Sequence, residues 1–194
     1  MLNLALSNIE AREKEFSELD AVCGDGDHGT AIVAAMKAVN AEAQKGTEFK
    51  TMLTDMAFRS MTEASGSTST LIGSFFLGMS NTAEGESLSA PQIAKMFQSG
   101  LDEVRQQTKA QVGDKTIMDA LVPAVEAIGE KKDAPIREQF EKGAEAAKAG
   151  AVHTASLKAN FGRARNLGER SIGSQDPGAT SWACLFESFY QALN

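Results

Sequence analysis

Apolar residues return every three or four positions along most of this chain, and nowhere do they alternate with polar ones over the length of a strand. Phe49, Met52, Leu53, Met56 and Met61 mark one helical face, and Ile93, Met96, Phe97, Leu101 and Val104 mark another. A sheet needs period-two runs of valine, isoleucine and aromatic residues, and none is present. The chain is therefore expected to be all-α.

The remaining stripes extend that reading. Leu2, Leu6, Ile9, Phe16 and Leu19 form a loose first helix, and Ala31, Ile32, Ala35, Met36 and Val39 form one that Thr30 and its predecessors cap. An apolar helix runs from about Leu71 to Met79. Ser89 with the early Pro91 opens the helix that buries Phe97. Ile117, Ala120, Leu121, Ala124, Val125 and Ile128 keep helical spacing past Pro123, where a kink is expected. An alanine-rich segment from Pro135 to Phe161 and a closing face of Ala183, Phe186, Phe189 and Leu193 bring the count to about eight helical segments.

With 194 residues, no repeat and no linker-like run, the chain is expected to be a single domain over 1–194. Hydrophobic residues at 42% and charged residues at 23% supply enough core to rule out disorder. The net charge of −7 disfavours a nucleic-acid surface, so a polyanionic ligand would need a cation to accompany it. Met1 to Ile9 is apolar but short and lacks a basic leader, so neither a signal peptide nor a membrane span is expected, and the cytoplasm is the inferred location. Cys23 and Cys184 are too far apart in sequence to read as a metal-binding pair and fit reduced thiols. Cys23 is read as a small buried residue.

Charge and glycine are densest between Leu19 and Thr30, where Asp20, Asp25 and Asp27 fall within eight residues. Three carboxylates this close repel one another unless a cation sits among them, which points to magnesium. The other reading is a polar turn capping the next helix. Gly24, Gly26 and Gly29 match the literal dinucleotide pattern, but Asp25 and Asp27 would face a pyrophosphate with negative charge and no strand flanks them. A calcium loop fails because the twelfth position from Asp25 is Met36, where a glutamate is needed. Magnesium takes a few carboxylates and leaves positions for water and phosphate, and the helix that follows offers N–H groups to those phosphates.

Other segments carry weaker signals. Gly113-Asp114-Lys115-Thr116 lacks the earlier glycine of a phosphate loop and reads as a turn with Asp114 or Thr116 as cap. Gly66 to Thr70 offers hydroxyls that either bind phosphate or cap the helix they precede. Gly168 to Thr180 is too elaborate for a connector and sets Arg170 before another helix start. His153 lies in a helical stretch and reads as structural, whereas His28 sits beside the acidic cluster.

Taken together, Gly24-Asp25-Gly26-Asp27-His28-Gly29, the Gly66–Thr70 run, the segment from Gly113 to Leu121 and the segment from Gly168 to Thr180 resemble the dihydroxyacetone kinase L subunit family. The resemblance spans most of the chain, with the motifs in the same order. It implies a barrel of eight antiparallel helices with the nucleotide, ADP or ATP, and two Mg2+ ions at one end. It places the metal carboxylates on Asp20, Asp25 and Asp27, and the nucleotide on His28, Gly29, Thr30, Ala31, Ser67, Thr68, Gly113, Arg170, Asp176, Pro177 and Gly178. Arg170 is the catalytic residue in this reading. The chain departs from the family pattern in Ser65–Thr70, where a double glycine and Ser-Gly-Pro-Leu are usual. Ser174 stands where histidine is common, and Arg165-Asn166 replaces Ser-Tyr.

The resemblance further implies a ketose held on a separate K subunit, with this chain supplying the phosphoryl group. Bound ADP recharged by a phosphohistidine phosphotransfer protein is the favoured donor arrangement, and free exchange of ATP is the alternative. Two magnesium ions and Arg170 suffice chemically for the donor half, because phosphoryl transfer needs mainly alignment and charge neutralisation. Rival readings are a kinase subunit for another ketose and a nucleotide-sensing regulator without turnover. A homodimer is left open. No nucleic acid or membrane partner is expected.

Overall fold

The structure, a computed structural model, describes residues 1–194 apart from Thr47, Ser65 and Glu86, and at Cys23 the backbone alone. The expected burial of the Cys23 side chain and the Ser65 end of the hydroxyl run lie outside the described residues. Among those residues the chain is all-helical, with no strand. The helices are α1 (Leu2–Ala11), α2 (Glu13–Cys23), α3 (His28–Ala43), α4 (Phe49–Glu63), α5 (Ser67–Ser80), α6 (Ala90–Gln107), α7 (Met118–Glu130), α8 (Ile136–His153) and α9 (Pro177–Gln191). Short 3-10 segments span Thr154–Ser156 and Arg163–Ser171.

The single first helix expected from the stripe is two helices. Arg12 breaks it at φ −110° and ψ 9°, with its guanidinium bonded to Glu15 and lying over the Phe16 ring. Neither proline nor glycine marks this break, so the apolar spacing runs through it unaltered. The alanine-rich segment stops being α-helical at His153, where the Thr154 hydroxyl turns back to the Ala151 carbonyl.

Elsewhere the local signals act as read. Ser89 and Gln92 form a reciprocal capping box at the start of α6, with Pro91 in the first turn, where its missing N–H costs nothing. Asp176 caps α9 by accepting the Ala179 N–H at 2.7 Å, again with a proline, Pro177, at the first position. Helix α7 continues through Pro123. Proline there has no N–H for the Asp119 carbonyl, and α8 places Gly150 directly against that carbonyl, where a side-chain methyl would overlap it.

Each helix from α3 onward packs on its successor, and α9 packs back on α1 and α2, which in turn pack on α3. Inside this circuit lies the apolar core. Phe75 meets Trp182 edge-on at 5.2 Å and Phe97 at 5.6 Å, and Phe97 meets Phe140 at 5.3 Å. Such edge-to-face pairs add about 0.5–1.5 kcal/mol each beyond the burial of their area. No helix among the described residues is long and apolar enough to cross a membrane.

Candidate functional site

The acidic loop joins α2 to α3. Asp20 is in the last turn of α2, and its Oδ2 accepts the backbone N–H groups of Asp27, at 3.0 Å, and His28, at 3.4 Å. This folds the loop back on the helix that precedes it and leaves Asp25 and Asp27 exposed. One carboxylate oxygen from each of Asp20, Asp25 and Asp27 lies within 4.8 Å of the others, the geometry a hard divalent cation requires of its oxygen ligands.

Two kinds of charge act on the cluster. Arg163, from the 3-10 segment before α9, forms an ion pair with Asp25 and holds its carboxyl below the ordinary range. Partial loss of solvent, and then the charges of Asp25 and Asp20, hold Asp27 above its ordinary value. The loop is therefore an unbalanced anion site, relieved on one side by an arginine.

His28 opens α3 and is tied on both ring nitrogens. Nε2 lies 2.9 Å from the Ser181 hydroxyl on α9, and Nδ1 lies 3.3 Å from the Thr68 hydroxyl in the first turn of α5. Burial lowers its pKa, favouring the neutral ring, which donates to one of these hydroxyls and accepts from the other. Three helix starts are thus pinned around one imidazole.

The carboxylates face a groove of about 330 Å³. Asp20, Asp25, Asp27 and His28 form one wall, Ser67, Thr68 and Leu71 of α5 a second, and Asp176, Pro177, Gly178 and Trp182 of α9 a third. Thr108, Ala110 and Lys115 to Met118, in and around the α6–α7 connection, close the floor, and Phe161 to Ala164 lie over the acidic loop. Gly66 precedes α5 at φ 97° and, as a glycine, has no side chain with which to cap it. Ser69 and Thr70 both donate to the Gly66 carbonyl instead.

Of the residues singled out from the sequence, Asp20, Asp25, Asp27, His28, Ser67, Thr68, Asp176, Pro177 and Gly178 border this groove. Gly29, Thr30, Ala31, Gly113 and Arg170 lie outside its lining. Gly29 packs on the Glu13 carbonyl so closely that a methyl group would collide with it, and Thr30 donates to the Glu13 carboxylate at 3.2 Å. The N–H of Gly113 goes to Asp119 Oδ1 at 2.7 Å. Arg170 is exposed on the same 3-10 segment that presents Arg163 to the acidic loop.

Sequence reading passed over Arg163, Asp119 and Trp182, and took Lys115 only as part of a turn and Phe161 only as the end of a helical segment. For Arg163 a signal existed: it follows Gly162, which turns at φ 62°, inside the Gly- and Arg-rich break. Asp119, an acid in the first turn of α7, stands three residues after Thr116, the spacing at which an acid reaches back to a helix-start N–H. Asp114 and Thr116, the expected caps of the 113–116 turn, accept the Gln111 and Met118 N–H groups, while Asp119 takes those of Gly113 and Thr116.

Fold and groove together define a class: helical domains in which an acidic loop faces a groove built from several helix starts. The particular family follows from sequence comparison. Residues 22–191 match the DAK2 domain, and the chain belongs to that family. It is 34% identical over 185 residues to the ADP-binding subunit DhaL of the PEP-dependent dihydroxyacetone kinase of Escherichia coli (strain K12), covering 90% of this chain and 86% of that one. It is 32% identical over 191 residues to the ADP-binding subunit DhaL of the PTS-dependent dihydroxyacetone kinase of Lactococcus lactis, covering 95% and 91%. An L-erythrulose 1-kinase of Mycolicibacterium smegmatis is 34% identical over 191 residues, 93% of this chain but 33% of that enzyme. Among solved structures, the dihydroxyacetone kinase of C. freundii in complex with AMP-PNP and Mg2+ superposes with a TM-score of 0.77 at 23% identity, over 98% of this chain and 33% of that one. The relatives are kinases or kinase subunits, and the structural likeness shows the shared helical fold.

Proposed function

We propose that this chain is the ADP- or ATP-binding subunit of a dihydroxyacetone-type, short-chain ketose kinase, delivering a phosphoryl group to a ketose held on a partner K-type subunit. One observation carries the reading: three carboxylates with oxygens within 4.8 Å of one another face a groove walled by the starts of α3, α5 and α9. An acidic wall repels a polyphosphate unless cations intervene, so the nucleotide comes with metal. Asp20, Asp25 and Asp27 are hard oxygen donors of the kind magnesium takes, and they are the residues that would hold two Mg2+ ions. When bound, the metal neutralises phosphate charge.

The protein's own part is alignment. Ser67 and Thr68 at the start of α5, and the Asp176–Gly178 turn at the start of α9, flank the groove where a nucleotide would lie. Arg163 already pairs with the cluster, and Arg170 follows on the same segment. A guanidinium from this segment is the group that meets charge developing on the transferred phosphoryl. Replacing each arginine by glutamine assigns the role, since the one whose loss lowers turnover more is the catalytic group.

The names of the two DhaL relatives support bound ADP recharged by a phosphohistidine phosphotransfer protein. The erythrulose kinase relative supports a second reading, a subunit acting on another short ketose, with freely exchanging ATP as the alternative donor. In either case the chain acts as one domain over 1–194 in the cytoplasm. The return of α9 onto α1 and α2 supports a barrel of about eight antiparallel helices with the groove at one end. Mass spectrometry of nucleotide released from the purified protein tests the proposal. ADP is the expected species, and phosphate transfer to dihydroxyacetone is expected once a K-type subunit is added. Protein that neither retains nor binds Mg-ADP overturns it, and binding without transfer to any ketose leaves a regulator instead.

A further inference from the structure

The turn from Gly113 to Thr116 puts a lysine where almost no solvent reaches. Lys115 is 2% exposed, borders the groove and has a left-handed backbone at φ 62°, a conformation that costs free energy for any residue with a Cβ. The turn is held there by Asp119, whose buried carboxylate takes the Gly113 N–H and the Thr116 N–H, each at 2.7 Å, on either side of the lysine. Burial of an ammonium is tolerated only with close partners. The Lys115 ammonium donates to the Thr154 carbonyl and to the Ser174 carbonyl, both at 2.6 Å.

Those two carbonyls belong to two different segments. Thr154 caps the C-terminal end of α8, and Ser174 stands two residues before Asp176, the cap of α9. The same junction is closed by the Thr154 hydroxyl, which accepts the Asp176 N–H at 2.8 Å, and by the Gly173 N–H, which donates to the Ala155 carbonyl at 2.8 Å. Lys115 and Thr154 thus tie the turn before the Asp176–Gly178 wall to the end of α8.

We propose that Lys115 is a positioning residue of the nucleotide site: its ammonium clamps the end of α8 to the turn before α9 and so holds the Asp176–Gly178 wall where a bound nucleotide meets it. This rests on the nucleotide reading above. It also explains why a lysine stands in a turn that offers no phosphate-loop geometry. The side chain acts on protein carbonyls behind the wall.

The test is calorimetric titration of Mg-ADP into the wild-type protein and into Lys115→Met, Lys115→Arg and Thr154→Val, each at a temperature where circular dichroism shows it folded. Lys115→Met is expected to bind about tenfold more weakly or worse, the worth of a charge-assisted hydrogen bond. Arginine, whose fork also reaches two carbonyls, is expected to bind more tightly than methionine. Thr154→Val is expected to lose affinity in the same direction but less. If only packing mattered, the unbranched apolar methionine would serve at least as well as arginine, so methionine equal to arginine or to wild type overturns the proposal. Should Lys115→Met fail to fold, Thr154→Val decides, and wild-type affinity in that variant overturns it. Wild-type protein that does not bind Mg-ADP removes the nucleotide reading itself, an outcome separate from wild-type binding with unaffected variants.

Discussion

Helix α9 starts in one chemistry and ends in another. Asp176, Pro177 and Gly178 border an open groove opposite three carboxylates, whereas Phe186 and Phe189, further along the same helix, are buried among aromatic rings. At the aromatic end each ring meets another at 5–7 Å, edge-on or tilted, and burial is nearly complete. At the acidic end like charges sit within 4.8 Å with one arginine against them, an arrangement that costs stability until cations arrive. The aromatic region holds the molecule together, and the acidic region is poised for a ligand. The two should therefore respond to substitution in opposite ways.

The largest separation is expected at the acidic loop. Asp25→Ala or Asp27→Ala should weaken Mg-dependent ADP binding by well over a hundredfold, since even the outer partners of a metal are worth about 10–100-fold. Without metal, the melting temperature of Asp27→Ala should hold or rise, because one like charge has gone, whereas Asp25→Ala also loses its partner Arg163 and should gain nothing. Equilibrium dialysis and melting in EDTA check both halves, and full ADP retention by metal-stripped mutant protein would break the comparison at once.

Phe97→Ala should do the reverse. Its ring touches Phe75, Phe140, Phe186 and Phe189, so truncation should cost about 3–5 kcal/mol, a drop of roughly 10 °C at ~2–4 °C per kcal/mol. ADP affinity of the protein still folded should stay within about twofold of wild type, well below the tenfold that 1.4 kcal/mol represents.

Gly29→Ala probes the boundary between the regions. Its methyl would collide with the Glu13 carbonyl and push α3 from α2, at a cost of about 1–3 kcal/mol for overpacking. Because Asp20 rides on α2 and Asp27 directly precedes α3, ADP affinity should fall together with stability. Thermal melting and titration of one sample measure the two losses side by side.

The last contrast is in pH dependence. Burial, and then the nearby charge of Asp119, push the Asp176 carboxyl up to about 7, opposed by its bond from Ala179 and by Lys115. A pKa raised from 3.8 contributes stability that is fully present below 3.8 and lost as pH rises through about 7. Asp176→Asn cannot ionise, so in EDTA its stability relative to wild type should climb across that window. A flat difference in denaturation midpoint between pH 4 and 8 would show that the carboxyl is better solvated than its surroundings imply.

Many of the elements behind these contrasts are legible in the amino-acid sequence. The stripes of Phe49 to Met61 and Ile93 to Val104 are α4 and α6, Ser89 and Pro91 mark a real helix start, and the acidic loop leads into α3. The motif resemblance and the family match agree. Less legible are the break at Arg12, where apolar spacing carries through unbroken, and the hydroxyl run, where Ser69 and Thr70 bond to Gly66 inside α5 instead of standing ahead of it. Gly29 has a further role that the sequence does not announce: its lack of a side chain lets α3 pack on a carbonyl of α2.

Helical period, caps and the density of negative charge depend on residues a few positions apart, so the order of amino acids is enough to specify them. Which distant groups share a volume is settled by tertiary packing alone. Packing brings Arg163 to Asp25, sets His28 between Ser181 and Thr68, and buries Lys115 and Asp119 beneath the groove. A guanidinium or an ammonium looks the same in sequence wherever it lies. Its role depends on the partners and the solvent it meets once α9 has closed back on α1 and α2.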